Sequence, residues 1–318
     1  MTQTRNPNVL LLSHGRTLSN LFVKLMSKQD DFEQAEYHFH AAFMYLRKEI
    51  GEKPLIEQPE GRETFYKMIK EGYDKFFQDV ENAYSKNKPV FFKDHVFQTW
   101  QPSVIDQDIW GADPAPSLHL TGDQKHTSPT LLPDSFLLSA VPIFIIRHPL
   151  MQTESWYRAN LRIYPVDLKD PFCKLSANTG YCRQLFDWYK TQVPADVYTG
   201  PNPKGPGPFM PIIVDADDLL EGTDVIERVC ERVNFSKDKV LYSWDTVSGE
   251  NRTAIERSYL KGLWESTGVD KSKSSKGVTA EAKHAAWKEE FGQEVADFLL
   301  ASANKHMPDY EYMLAQKI

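Results

Sequence analysis

The chain carries four short, nearly continuous apolar runs separated by long amphipathic stretches. The runs are Val9 to Leu12, Lys88 to Phe92 ("KPVFF"), Pro142 to Ile146 ("PIFII") and 212–220 ("IIVDADDLL"). Each reads as a strand buried on both faces. After the first run, Leu18, Leu21, Phe22, Leu25 and Met26 recur at helical spacing. The stretches 31–50 and 62–86 also read as helix, as do those from about 151, over 176–192 and near 222–233. The C-terminal third is helical around a polar gap at 270–278, "DKSKSSKGV". Strands alternating with helices predict an α/β fold, with a mostly parallel sheet between two helical layers. Two stretches break the pattern. Residues 98–135 hold five prolines and 194–211 hold six, and both read as loop insertions. No repeat and no dividing linker is evident, so the expectation is one domain over 1–318.

Charge narrows the partners. The formal net charge is −7 and the isoelectric point about 5.8, with no basic domain. That balance argues against nucleic acid and against a polyanionic acceptor, while leaving room for an anion held by a few local cations. No apolar run approaches the roughly 18 residues that span a bilayer, and the polar start MTQTRNPN lacks a secretory core. The expectation is a cytoplasmic protein that does not engage a membrane. A homodimer stays open, because the sequence sets no oligomeric state. Cys173, Cys182 and Cys230 form neither a disulfide framework nor a zinc pattern, and no metal is expected.

Three places could carry chemistry. The first strand runs into "SHGRTLSNL", a small polar loop opening a helix, where unsatisfied N–H groups suit an anion. It has no Walker lysine and no G-x-G-x-x-G. The second strand ends "FFKDH". Lys93 and His95 lie two apart and so face one side, at the strand end where open α/β sheets bind ligands. Alone, the pair reads first as a salt-bridging lysine beside a structural histidine. The third strand ends "IIRHPLMQTES", with Arg147 at its end and Ser155 eight residues on. An arginine fork recognises phosphate, and the serine could add a hydroxyl.

In this order the pieces resemble the sulfotransferases that use 3′-phosphoadenosine-5′-phosphosulfate (PAPS), and within them the fungal-type small-molecule members. "SSKGV…WKEEF", 274–291, resembles the Lys-Gly segment that closes over the 3′-phosphate. Gly15 stands where the family commonly has proline, and Arg16 where many members have lysine. The resemblance implies a P-loop-like sulfotransferase fold and PAPS as cosubstrate. It implies that Arg16, Thr17, Leu18, Ser19 and Asn20 cradle the 5′-phosphosulfate. Arg147 and Ser155, with Lys276 and Gly277 as a lid, would take the 3′-phosphate. His95 would be the general base, with Lys93 and Arg16 stabilising charge around the transferring group. The acceptor would be a hydroxyl or amine of a small molecule. Its pocket is expected among helix 32–50, loop 98–135 and the helix after Met151, where aromatics are plentiful (Phe39, Phe43, Tyr45, Phe97, Trp100, Trp110, Trp156 and Tyr157), although most aromatics are simply core, and where Tyr37 is a further candidate.

Two rivals remain. One is a same-fold enzyme using His95 for acid–base chemistry without PAPS. The other is a non-catalytic nucleotide-binding protein, against which Lys93 and His95 argue, since a pure binder needs no base. Other residues read more plainly. His38 and His40, two apart on the expected helix, diverge by about 200° and cannot share a metal. "VDADDLL" reads as a structural strand-to-helix turn. His14 could fix its own loop or touch a ligand. Lys271 and Lys273 read as solvated, with a phosphate lid as the sharper alternative.

Overall fold

The computed structural model describes residues 6–111, 115–120, 126–163, 165–194 and 207–318. Its centre is a five-stranded sheet: β1 (Val9–Ser13), β2 (Glu33–Glu36), β3 (Val90–His95), β4 (Val141–Ile146) and β5 (Ile212–Asp215). The order is β2-β3-β1-β4-β5 and every pair is parallel. Parallel neighbours need crossovers, and these are helical. In chain order the helices are α1 (Ser19–Leu25), α2 (His40–Tyr45), α3 (Pro59–Ser85), α4 (Pro102–Trp110), α5 (Asp134–Ser139), α6 (Pro149–Leu161) and α7 (Pro171–Ala177). There follow α8 (Gly180–Gln192), α9 (Ala216–Glu221), α10 (Asp224–Val233), α11 (Ala254–Trp264), α12 (Ala280–Phe291) and α13 (Gln293–Leu314).

The apolar runs behave as doubly buried strands. Along β1, Leu10 and Leu12 join the core on one face, with Phe92, Phe144 and Ile213. Val9 and Leu11 join the core on the other, with Phe91, Ile143 and Val214. Helices α2, α3 and α8 contribute to the first core, and α1, α9 and α10 to the second. The molecule is therefore α/β in three layers. A third cluster, centred on Trp287, packs α12 and α13 on α6. Among the described residues no helix is long and apolar enough to cross a membrane.

Four expectations need correction. The stretch 31–50 is not one helix. It holds strand β2, a turn, α2 and a π-helical turn, Leu46–Ile50. The sheet accordingly has five strands rather than four. Segment 98–135 is not all loop, because α4 starts at Pro102, a residue suited to the first helical turn, and α5 follows Pro133. The run 212–220 is strand only to Asp215, and α9 takes the rest. Most of the loop expected at 194–211 (195–206) lies outside the described residues.

Candidate active site

The crossovers run from β1 outward to β2 and β3, then back past β1 to β4. The C-terminal ends of β1, β3 and β4 thus border one crevice, where α/β sheets bind ligands. The register pairs Ser13 with His95 and Glu36 with Lys93. Parallel pairing therefore brings the loop after β1, the end of β3 and the end of β2 together.

The loop after β1 is held in an uncommon backbone path. Arg16 and Leu18 both have positive φ, 68° and 66°, and neither is glycine. Such strain persists only where surroundings enforce it, and the enforcing contacts are specific. The Thr17 hydroxyl donates to the His14 carbonyl, 2.9 Å. Gln152 Nε2 donates to the Gly15 carbonyl and lies 3.0 Å from His14 Nδ1. Arg147 Nη1 donates to the Arg16 carbonyl, 3.0 Å. Burial pushes His14 down to about 4, so its ring is neutral. His14 Nδ1 lies 3.1 Å from the Gly15 carbonyl within its own loop, while its Nε2 is buried without a partner. A Cβ on Gly15 would sit 4.0 Å from His95 Cε1, so the loop passes close to that ring.

The cations converge here. Arg16 Nε donates to Ser155 Oγ, 3.0 Å, and Nη1 to the Tyr259 carbonyl, 3.1 Å, with the guanidinium 5.3 Å from the Tyr259 ring centroid. Arg147 Nη2 donates to the Lys273 carbonyl, 3.1 Å, while its Nε is buried without a partner. Neither arginine forms an ion pair with a carboxylate among the described residues. Burial, then repulsion from Arg16, brings Arg147 down to about 10. Burial likewise lowers Arg16. Lys93 is 1% exposed. Its Nζ donates to Asn20 Oδ1 and Tyr37 Oη and lies 3.9 Å from Glu36 Oε2. Burial brings Lys93 down to about 8.

His95 is partly exposed, between the Tyr37 ring at 5.4 Å and the parallel Phe97 ring at 6.1 Å. Its Nδ1 is 3.4 Å from the Ser13 carbonyl. Burial and then Lys93 hold it well below the ordinary imidazole range, so its ring is neutral at neutral pH.

Arg16, Asn20, Lys93, His95, Arg147 and Ser155 come together near these strand ends, whereas Thr17 and Ser19 are buried in the loop and helix start and Leu18 packs against the second core. Ser155, however, meets Arg16 rather than Arg147. Lys276 is exposed and pairs with Glu221, while Gly277 turns with φ 74°. The segment 270–278 reaches Arg147 through the Lys273 carbonyl instead, and Asp217 anchors it by accepting from the Ser275 backbone N–H, 3.0 Å. His38 lies in the turn before α2 and bonds Asp79, whereas His40 bonds Gln98, so they do diverge. Of the expected pocket aromatics, Phe39, Phe43 and Trp100 are core on the α3 side, and Trp156 is core under α13. Phe97 is partly exposed beside His95. Tyr37 was expected only as a candidate lining of the acceptor pocket, and Gln152 and Tyr259 were not assigned roles from sequence. Gln152 sits five residues after Arg147 and is legible only in retrospect. Tyr259 arrives from α11 and has no local signal.

Two fungal proteins are similar over nearly the whole chain. Sulfotransferase ppzF of Metarhizium majus (strain ARSEF 297) is 27% identical, covering 97% of this chain and 96% of its own length. Sulfotransferase ppzF of Metarhizium rileyi (strain RCEF 4871) is 28% identical, covering 97% and 95%. Similarity to two proteins of that name along the whole chain supports a sulfotransferase family. No family model matches it. Among solved structures, the sulfotransferase domain of the Synechococcus PCC 7002 olefin synthase aligns with 87% of this chain and 90% of its own. The TM-score is 0.41 and the identity 15%.

Proposed function

We propose that this sulfotransferase moves the sulfuryl group of PAPS to a hydroxyl or amine of a small, apolar or aromatic acceptor, with His95 as general base. One observation carries the reading. Arg16, Lys93 and Arg147 come from three strand ends to one crevice, and the two arginines have no carboxylate partner among the described residues. Buried charge is costly unless it is paired. Such a set is complementary to a polyanion. The unpartnered Nε of Arg147 is a donor still to be satisfied, which fits a cosubstrate bearing a phosphosulfate and a second phosphate.

PAPS supplies, when bound, a sulfuryl group activated on its 5′-phosphate. The rest falls to the chain. The loop from Gly15 to Asn20 and the start of α1 would hold the phosphosulfate by backbone N–H groups and Arg16. Arg147 would exchange carbonyl partners for the 3′-phosphate. His95 would take the proton of the attacking acceptor, a service worth about 10²–10⁴-fold. Lys93 and Arg16 would offset negative charge on the departing phosphate oxygen, roughly 3–4 kcal/mol per well-placed donor. The Tyr37 and Phe97 rings beside His95 suit a flat or apolar acceptor.

The test is transfer of labelled sulfuryl from PAPS to a panel of phenols, alcohols and amines, with His95→Ala alongside. The expected result is product with the native enzyme and at least a 100-fold loss in the variant, while adenosine 3′,5′-bisphosphate still binds both. Equal turnover by H95A would remove the base from this account.

A further inference from the structure

One side chain that touches several parts of this machinery is not a cation. Tyr37 follows β2 directly, and its backbone N–H donates to the Lys93 carbonyl, 3.0 Å. Its φ is 58°, a left-handed conformation that a bulky aromatic residue rarely adopts. That path turns the ring inward over the end of β3. The ring centroid is 4.2 Å from Lys93 Nζ, 5.4 Å from the His95 ring and 5.9 Å from the His40 ring. The hydroxyl accepts from Lys93 Nζ and donates to Asn20 Oδ1, 3.2 Å, and the same Asn20 oxygen accepts from Lys93. Three groups from β2, β3 and α1 thus close a triangle of hydrogen bonds.

We propose that Tyr37 is a positioning residue for the sulfuryl-transfer step, its hydroxyl and ring face holding the Lys93 ammonium at the mouth of the anion-binding loop. The inference rests on the reading of the site given above. The argument is one of degrees of freedom. A lysine head sits on a flexible four-carbon stem and carries three donors. Asn20 and Tyr37 occupy two of them, and the third is left for a ligand. Glu36, at 3.9 Å, attracts the ammonium without a hydrogen bond. Take away the Tyr37 hydroxyl and one acceptor remains, so the head can swing. Charge stabilisation depends on a donor already aimed, and a displacement of about 1 Å can cost 10²-fold. Ground-state binding of the nucleotide should be little affected, because Arg16 and Arg147 are held by contacts that do not involve Tyr37.

A second consequence separates positioning from packing. The charged and titratable groups near Lys93 include Glu36 on β2 and, on its own strand, His95 on the same face and Asp94 on the opposite one, and Arg16 faces Tyr37 from the loop. None of them changes in Tyr37→Phe. The variant loses only an acceptor that favours the ammonium, so Lys93 should release its proton at lower pH. The alkaline limb of the rate profile should move down with it.

The experiment compares Y37F with the native enzyme in steady-state transfer from PAPS, titration with adenosine 3′,5′-bisphosphate, and thermal melting. The expected result is a kcat roughly 10- to 100-fold lower, with KM for PAPS and bisphosphate affinity within about 3-fold and the melt nearly unchanged. The alkaline limb should fall by roughly half a unit or more. An unchanged kcat with an unmoved limb would overturn the proposal. So would a loss confined to bisphosphate affinity, since Tyr37 would then shape the nucleotide site instead. A native protein that neither binds the bisphosphate nor turns over PAPS would mark failure of the underlying reading, seen before any variant is compared.

Discussion

Asp94 lies between Lys93 and His95 but points to the opposite face of the sheet, into the core beneath α3. It is fully buried. One carboxylate oxygen accepts the His95 backbone N–H, 2.7 Å, and the other has no partner. Burial raises it from an ordinary 3.8 to about 7, against the pull of that N–H, of the Phe39 backbone and of Lys93. A carboxyl whose folded-state value is raised costs stability as pH climbs from the unfolded value to the folded one. Each unit is worth about 1.4 kcal/mol. At pH 5 the cost is about 2 kcal/mol, and at pH 8 about 4 kcal/mol, so about 2–3 kcal/mol is lost across that window. Asp94→Asn keeps the acceptor for His95 N–H and removes the ionisation. Other titrating groups, such as Asp215, raised to about 6 by burial, cancel in the comparison. Urea unfolding of both proteins at pH 5 and pH 8 is the assay. Relative to the native chain, D94N should gain about 2–3 kcal/mol between the two pH values. A stability difference that does not change with pH would refute the argument. It would mean that Asp94 is solvated or paired in a way the described contacts do not show.

Other outcomes follow from the same structure. The free-enzyme profile of kcat/KM for PAPS should have its acid limb well below 6.5, because burial keeps the His95 imidazole deprotonated. Its alkaline limb should lie near 8, where Lys93 loses its charge; an acid limb at or above 6.5 would contradict the assignment of His95 as base. Trp287 is fully buried among Leu150, Trp156 and Leu299 and joins α12 to α6 and α13. Trp287→Ala should cost about 3–5 kcal/mol in denaturant unfolding, and a cost under about 1 kcal/mol would show that this cluster collapses to fill the space.

How much could be seen in the sequence depended on burial. Strands β1, β3, β4 and β5 are apolar because both faces are covered, and the pattern is plain. Strand β2, "EQAE", buries only Ala35. It sits at the sheet edge, where polar residues are favoured, so nothing in its composition separates it from the helix expected there. Helices α4 and α5 were hidden by the prolines that begin them. The cations were legible as strand endings, and a parallel sheet gathers strand endings on one side. Their partners were not. The Tyr259 carbonyl under Arg16 comes from 243 residues away. The inward turn of Tyr37 depends on a positive φ that no tyrosine announces.

The central claim is that the crevice binds a nucleotide with phosphate at both the 3′ and 5′ positions. The most direct measurement is calorimetric titration with adenosine 3′,5′-bisphosphate, with AMP and ATP as controls and Arg147→Ala beside the native protein. Each charged hydrogen bond to the phosphate is worth about 1.5–3 kcal/mol. The account predicts that the bisphosphate binds far more tightly than AMP, and that R147A loses this preference by about 100-fold or more. A folded native protein that does not distinguish the bisphosphate from AMP, or an R147A variant that binds it undiminished, would contradict the account.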